Sequence, residues 1–194
     1  GEAGGNFNDL EFVGLSHFHA DHSADFVALL KSGNFAGRER PLTVAGPSGA
    51  RLFPGLYQFL HGNLNSESGT FKYLSGYLDG SGGLPLLQPT EVTEEHDAAT
   101  DLLADNNDLV IYSQHVPHGI VPALGFRVEA RDTTLVFASD QNGGDPAFAQ
   151  FANKASLLVM HMPIPENAGD AARSLHAIPS RIGEVANDAG AQRL

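Results

Sequence analysis

The chain has 194 residues, 42% of them hydrophobic, and no cysteine, which suits one globular unit with a sizeable core and excludes disulfides, a thiol nucleophile and thiolate metal ligands. Eleven Lys and Arg against 23 Asp and Glu give a formal charge of −12, a balance set against broad capture of nucleic acid or of an anionic membrane surface, although bound metal can supply a local positive site. No apolar run approaches the roughly 18 residues of a membrane span, and Gly1 to Gly5 has neither part of a secretion signal.

In chain order, Leu10 to Leu15 reads as a short buried strand that runs into the polar cluster Ser16 to His22. Ala24 to Lys31 has a helical apolar face in Phe26, Val27, Leu29 and Leu30, with Gly33 as its stop. Leu42 to Ala45 predicts a second strand, and Ser48 to Leu60 a second helix. Gly62 to Pro89 carries six glycines before residue 84 and little periodicity, so no regular element is predicted there. A surface loop is the plain reading of that stretch, and a lid or substrate-binding segment the functional one. Leu109 to Tyr112 predicts a strand leading to His115 and His118. Leu124 to Glu129 and Thr134 to Ala138 flank Arg131-Asp132 as a hairpin, and Leu157 to Met160 is a strand that delivers His161. Pro179 to Ala189 is a helix with proline in its first turn and Gly190 as stop. Strands alternating with helices, with polar residues at the strand exits, define an α/β layout in a single domain over residues 1–194.

The chemistry concentrates in His17-x-His19-x-Asp21-His22, a pattern expected by chance about once in a thousand chains of this composition. In an extended segment His17, His19 and Asp21 project to one side, and the turn into the helix brings His22 to join them. Imidazole and carboxylate together suit zinc, iron or manganese.

These residues resemble the metallo-β-lactamase superfamily of metallohydrolases, and the resemblance runs along nearly the whole chain. Leu15 to Ser23 is similar to its first motif, His118 with Pro122 to Arg127 to the next histidine and its strand, and Phe137 to Asp140 to the bridging aspartate at a strand end. His176 ahead of Pro179 to Ala186 is similar to the late histidine and helix of the ribonuclease Z-like branch. The resemblance implies a four-layer αββα sandwich and a dinuclear centre. His17, His19 and His118 would hold one metal, Asp21 and His22 the other, and Asp140 would bridge them. It implies two divalent ions, zinc first, with manganese or iron as alternatives. It also implies that the chain lacks the family's first strands and the last ligand-bearing strand, which follows the helix ending at Gly190.

The activity implied is hydrolysis of an ester-type bond (phosphodiester, ester or lactone) by hydroxide shared between the metals. Asp21 would relay its proton, and His176 would be the acid for the leaving group. A non-hydrolytic metal-containing accessory protein and a mononuclear iron oxygenase of the same fold are the alternatives. About ten residues separate Val128 from Asp140, too few for the substrate-gripping arm of ribonuclease Z, and Met160-His161-Met162-Pro163 replaces that branch's His-Glu dipeptide. With the acidic charge, these departures point to a small or modest-sized substrate and make nucleic acid an unlikely partner. His115 competes with His118, His161 reads as a satisfied core histidine or a site-lining residue, and His61 and His96 receive no role. Cytoplasm and periplasm both fit, and the oligomeric state is not readable.

Overall fold

The structure, a computed structural model, describes residues 4–93, 101–106 and 108–194; His96 lies outside them. The chain divides into two compact units, Gly1–Val92 and Thr93–Leu194.

The first unit holds a three-stranded parallel sheet in the order β1 (Phe12–Gly14), β2 (Leu42–Pro47), β3 (Leu87–Val92). Helix α1 (Ala20–Gly33) links β1 to β2, and α2 (Leu56–Leu64) follows β2. Phe26, Val27 and Leu30 of α1 and Leu56, Leu60 and Leu64 of α2 pack with Leu42, Val44 and Leu87 of the sheet into one apolar cluster. Helix α1 begins four residues before the predicted start, because His19 takes the extended N-cap conformation and Asp21 places its negative charge in the first turn. Gly33 is the last helical residue rather than a left-handed stop. Its missing side chain admits the Phe7 ring, whose carbons lie 2.5 Å from where a Cβ would stand. The second helix starts eight residues later than predicted. Pro54 and the crowded glycines Gly49 and Gly55 impose a tight reversal first.

Residues 62–89 are neither a lid nor a bare surface loop. They fold as 3-10 turns and the short α3 (Gly76–Asp79), and they bury Leu74 and Tyr77 in the core of the unit. The Tyr77 hydroxyl donates to the Leu30 carbonyl at 2.7 Å. Pro89 sits within β3, where an edge position spares it the missing N–H.

The second unit is a five-stranded sheet in sequence order: β4 (Asp101–Asn106), β5 (Leu109–His115), β6 (Leu124–Ala130), β7 (Thr133–Phe137) and β8 (Leu157–Val159). Pairing is antiparallel through β7 and parallel between β7 and β8. The hairpin at Arg131-Asp132 forms as predicted, with Arg131 at φ 52°. Helices α4 (Pro146–Phe151) and α6 (Pro179–Ala189), separated in the chain by the short α5 (Asp170–Arg173), cover one face through Phe148, Phe151, Val185 and Ala189, packed on Val136 and Leu158. Gly190 closes α6 in the left-handed conformation (φ 62°). No helix among the described residues is long and apolar enough to cross a membrane.

Candidate metal centre

In the first unit the histidine motif follows the carboxyl end of β1, where parallel sheets place their sites. His17 is fully buried; its Nε2 lies 3.1 Å from His19 Nδ1, and its ring centroid lies 4.1 Å from that of His22. Ser16 Oγ meets the other His17 nitrogen at 3.2 Å. Asp21 departs from the extended run expected of it. It stands in the first turn of α1 with its side chain 80% exposed and an oxygen 3.5 Å from His22 Nε2. A hydrogen bond from its own backbone N–H holds the Asp21 carboxyl below the usual carboxylate range. Partial desolvation opposes that shift, and the charges of His22, His19 and His17 add to it.

In the second unit β5, β7 and β8 run in one direction, so the segments leaving their carboxyl ends emerge along one sheet edge. They deliver His118, Asp140 and His161. Donor atoms of His118, Asp140 and His176 all lie within 4.8 Å of one another. Asp140 Oδ2 is 3.9 Å from His118 Nε2 and 3.7 Å from His176 Nδ1, and its Oδ1 is 2.5 Å from His161 Nδ1. His118 and Asp140 are almost entirely buried, whereas the His161 side chain is 43% exposed. His161 is therefore a partner of Asp140 and not a core histidine; a single histidine after a strand offers no spacing from which sequence could single it out. His115 ends β5 and stays outside these groups, as does the exposed His61 of α2.

Backbone hydrogen bonds stitch the cluster together. Asn142 N–H donates to the Pro117 carbonyl at 2.9 Å, and Ala177 N–H donates to the Gln141 carbonyl at 2.8 Å. Ser139, at φ 58°, turns the chain between the end of β7 and Asp140.

The donor chemistry fits a divalent cation. Two ligands held tetrahedrally at about 2.0–2.1 Å from one zinc ion stand about 3.3 Å apart. The His17–His19 nitrogens at 3.1 Å, and the Asp140 contacts to His176 and His118 at 3.7 and 3.9 Å, bracket that spacing within each unit. His118 Nδ1 lies 2.8 Å from the Leu175 carbonyl. A carbonyl only accepts, so Nδ1 carries the proton and Nε2, the nitrogen facing Asp140, presents a lone pair.

No family model matches the chain. Ribonuclease Z of Bacillus licheniformis is 28% identical over 123 residues, which are 63% of this chain and 32% of the relative. Ribonuclease Z of Methanosarcina mazei is 39% identical over 51 residues, 26% of this chain and 17% of the relative. Human tRNase Z, short form, superposes with a TM-score of 0.74 at 17% identity, over 96% of this chain and 71% of that one. The chain has the metallo-β-lactamase fold and is similar in sequence, over part of its length, to ribonuclease Z. A metallo-β-lactamase fold protein of Bacillus subtilis agrees on the fold, with a TM-score of 0.67 at 16% identity over 98% of this chain and 65% of that one. The chain spans about a third or less of the curated relatives it matches.

These relatives correct the expectation of a small substrate with nucleic acid an unlikely partner, because they are ribonucleases by name and a solved neighbour is a tRNase. Total charge is a poor guide to partners because it sums over the whole surface, whereas capture of a charged substrate depends on the local field, in which bound cations, where present, are the largest charges.

Proposed function

We propose that the chain carries the metal centre of a hydrolase that cleaves phosphodiester bonds in RNA. One observation carries this reading: His118, Asp140 and His176 converge, with the His118 tautomer set by Leu175 so that Nε2 turns a lone pair toward Asp140. The ribonuclease Z relatives supply the substrate class.

By the family pattern, His17, His19 and His118 would hold one ion, Asp21 and His22 a second, and Asp140 would serve both. Zinc fits best, since imidazole and carboxylate suit its borderline character. When bound, such a pair polarises the phosphoryl group and brings the pKa of a shared water to around 7.

The remaining roles fall to side chains. Asp21, ionised at neutral pH by its lowered pKa, accepts a hydrogen bond from the attacking water and then its proton. His176, partly exposed beside Asp140, donates a proton to the oxygen that leaves phosphorus. Asp140 keeps one oxygen turned to His118 and His176 and the other to His161.

The test is metal analysis of chelator-free protein together with cleavage of a labelled RNA. Asp140→Ala is expected to lower bound zinc per chain and to abolish cleavage. Unchanged zinc content in that variant overturns the assignment of Asp140, and an intact RNA with zinc-loaded wild type overturns the activity.

A further inference from the structure

We infer that the turn Ala50 to Phe53 is a substrate-gripping element in which Arg51 binds a phosphate of the RNA strand beside the one being cleaved. The inference rests on the RNA reading above and adds a recognition residue to it.

Three features of the first unit carry it. The turn is closed by a reciprocal pair of backbone hydrogen bonds, Ala50 N–H to Phe53 O and Phe53 N–H to Ala50 O, each 3.0 Å. Its base is locked, because a Cβ on Gly49 would lie 2.7 Å from the Gly55 nitrogen. A two-residue tip built this way has little conformational freedom to lose on binding. Next, the turn abuts the histidine motif: the Phe53 ring stands edge-on to His19 with centroids 5.9 Å apart. Finally, the tip is Arg51-Leu52, both exposed, with Leu52 at 71%.

Arg51 also differs from most arginines of the chain in having no assigned work. Arg38 is buried against the carbonyls of Asn8, Arg40 and Pro41, and Arg40, Arg127, Arg131 and Arg181 each meet a carboxylate. Among the described residues Arg51 has neither a carboxylate nor a backbone carbonyl as partner. In a chain with formal charge −12, a guanidinium without a partner on a rigid turn against a metal-ligand motif is suited to forked hydrogen bonding of a phosphate. The neighbouring Leu52 and Phe53 offer apolar surface to the attached ribose or base.

The experiment compares wild type, Arg51→Ala and Arg51→Glu, each zinc-loaded and checked for native circular dichroism. Binding to a fluorescent single-stranded 12-mer of 2′-O-methyl RNA is followed by anisotropy from 50 to 300 mM salt. Turnover is followed on the unmodified 12-mer and on bis(p-nitrophenyl) phosphate, which is too small to reach the turn. Arg51→Ala is expected to weaken RNA binding about tenfold, and to lower the slope of log affinity against log salt by about 0.7, one phosphate's share on a single strand. Arg51→Glu weakens binding further. KM for the RNA rises with kcat nearly unchanged, and turnover of the small diester stays at the wild-type level. Equal affinity and equal salt slope in wild type and Arg51→Ala overturn the inference, as does a wild type that fails to bind the RNA. A wild type that binds RNA through Arg51 but turns over neither substrate overturns the hydrolase reading and leaves the turn's role standing.

Discussion

Replacing Tyr77 by Phe probes whether the glycine-rich stretch builds the core. Tyr77 is fully buried, and its hydroxyl donates to the Leu30 carbonyl at 2.7 Å. Leu30 lies in the last turn of α1, where carbonyls lose their helical partners; the first N–H beyond the helix, Asn34, turns to Lys31 instead. Deleting the hydroxyl removes a hydrogen bond worth about 1 kcal/mol net and leaves a buried carbonyl short of a partner, for about 1–2 kcal/mol more. The sum is about 2–3 kcal/mol, or roughly 1 M in the urea midpoint at a slope of 2–3 kcal/mol per molar. Burial also pushes the Tyr77 phenol above its ordinary pKa. The folded state therefore holds its proton more tightly than the unfolded one. Stability from this source is complete below about pH 10 and is lost as pH climbs through the folded value. Urea melts followed by far-ultraviolet circular dichroism at pH 8 and pH 10.5 check both effects. A Tyr77→Phe midpoint within 0.2 M of wild type, or an unchanged alkaline loss of stability, refutes the reasoning.

Three further substitutions, at two positions, follow from local geometry. Ser139 at φ 58° sits where glycine is at ease, so Ser139→Gly trades about 1 kcal/mol of relief against a similar entropic cost and is expected to melt within 2 °C of wild type. Ser139→Val, β-branched at the same angle, is expected to lose about 2 kcal/mol and also to bind less zinc, because Asp140 loses its aim. A Cβ on Gly33 would meet the Phe7 ring at 2.5 Å, so Gly33→Ala is expected to destabilise by about 1–2 kcal/mol in urea melts despite its better helix propensity.

The residues that could be read in advance are those whose spacing carries physics. His17 and His19 sit two apart after a buried strand, and Asp140 follows an alternating strand that ends in turn residues. For His161 the sequence leaves a core histidine and a site-lining residue both open, because what decides between them is the parallel pairing of β7 with β8, a contact between distant segments that no local pattern encodes. The start of α1 was missed because Ala20 to Ser23 adds only one buried residue to the helix face, and its placement depends on the N-terminal dipole and the His19 cap. The 62–83 segment was missed because its glycines read as punctuation, while tertiary burial of Leu74 and Tyr77 set its conformation.

The same distinction between local pattern and folded arrangement governs the electrostatics of the proposed RNA capture. Five of the seven arginines before residue 193 are satisfied within the protein by carboxylates or carbonyls: Arg38, Arg40, Arg127, Arg131 and Arg181. On the proposed reading, a phosphate backbone approaching a chain of formal charge −12 would find its main attraction in divalent ions held by the ligand cluster, each carrying two charges. Removing metal by dialysis against a chelator is therefore expected to cost more RNA affinity than Arg51→Ala does, at least thirtyfold by order of magnitude, or about 2 kcal/mol. The loss should be recovered with zinc, and anisotropy on the 2′-O-methyl 12-mer measures it without turnover. Chelator-treated protein that binds RNA as tightly as the zinc-loaded form would show that cations of the polypeptide alone hold the substrate, and the electrostatic account would have to be rebuilt around them.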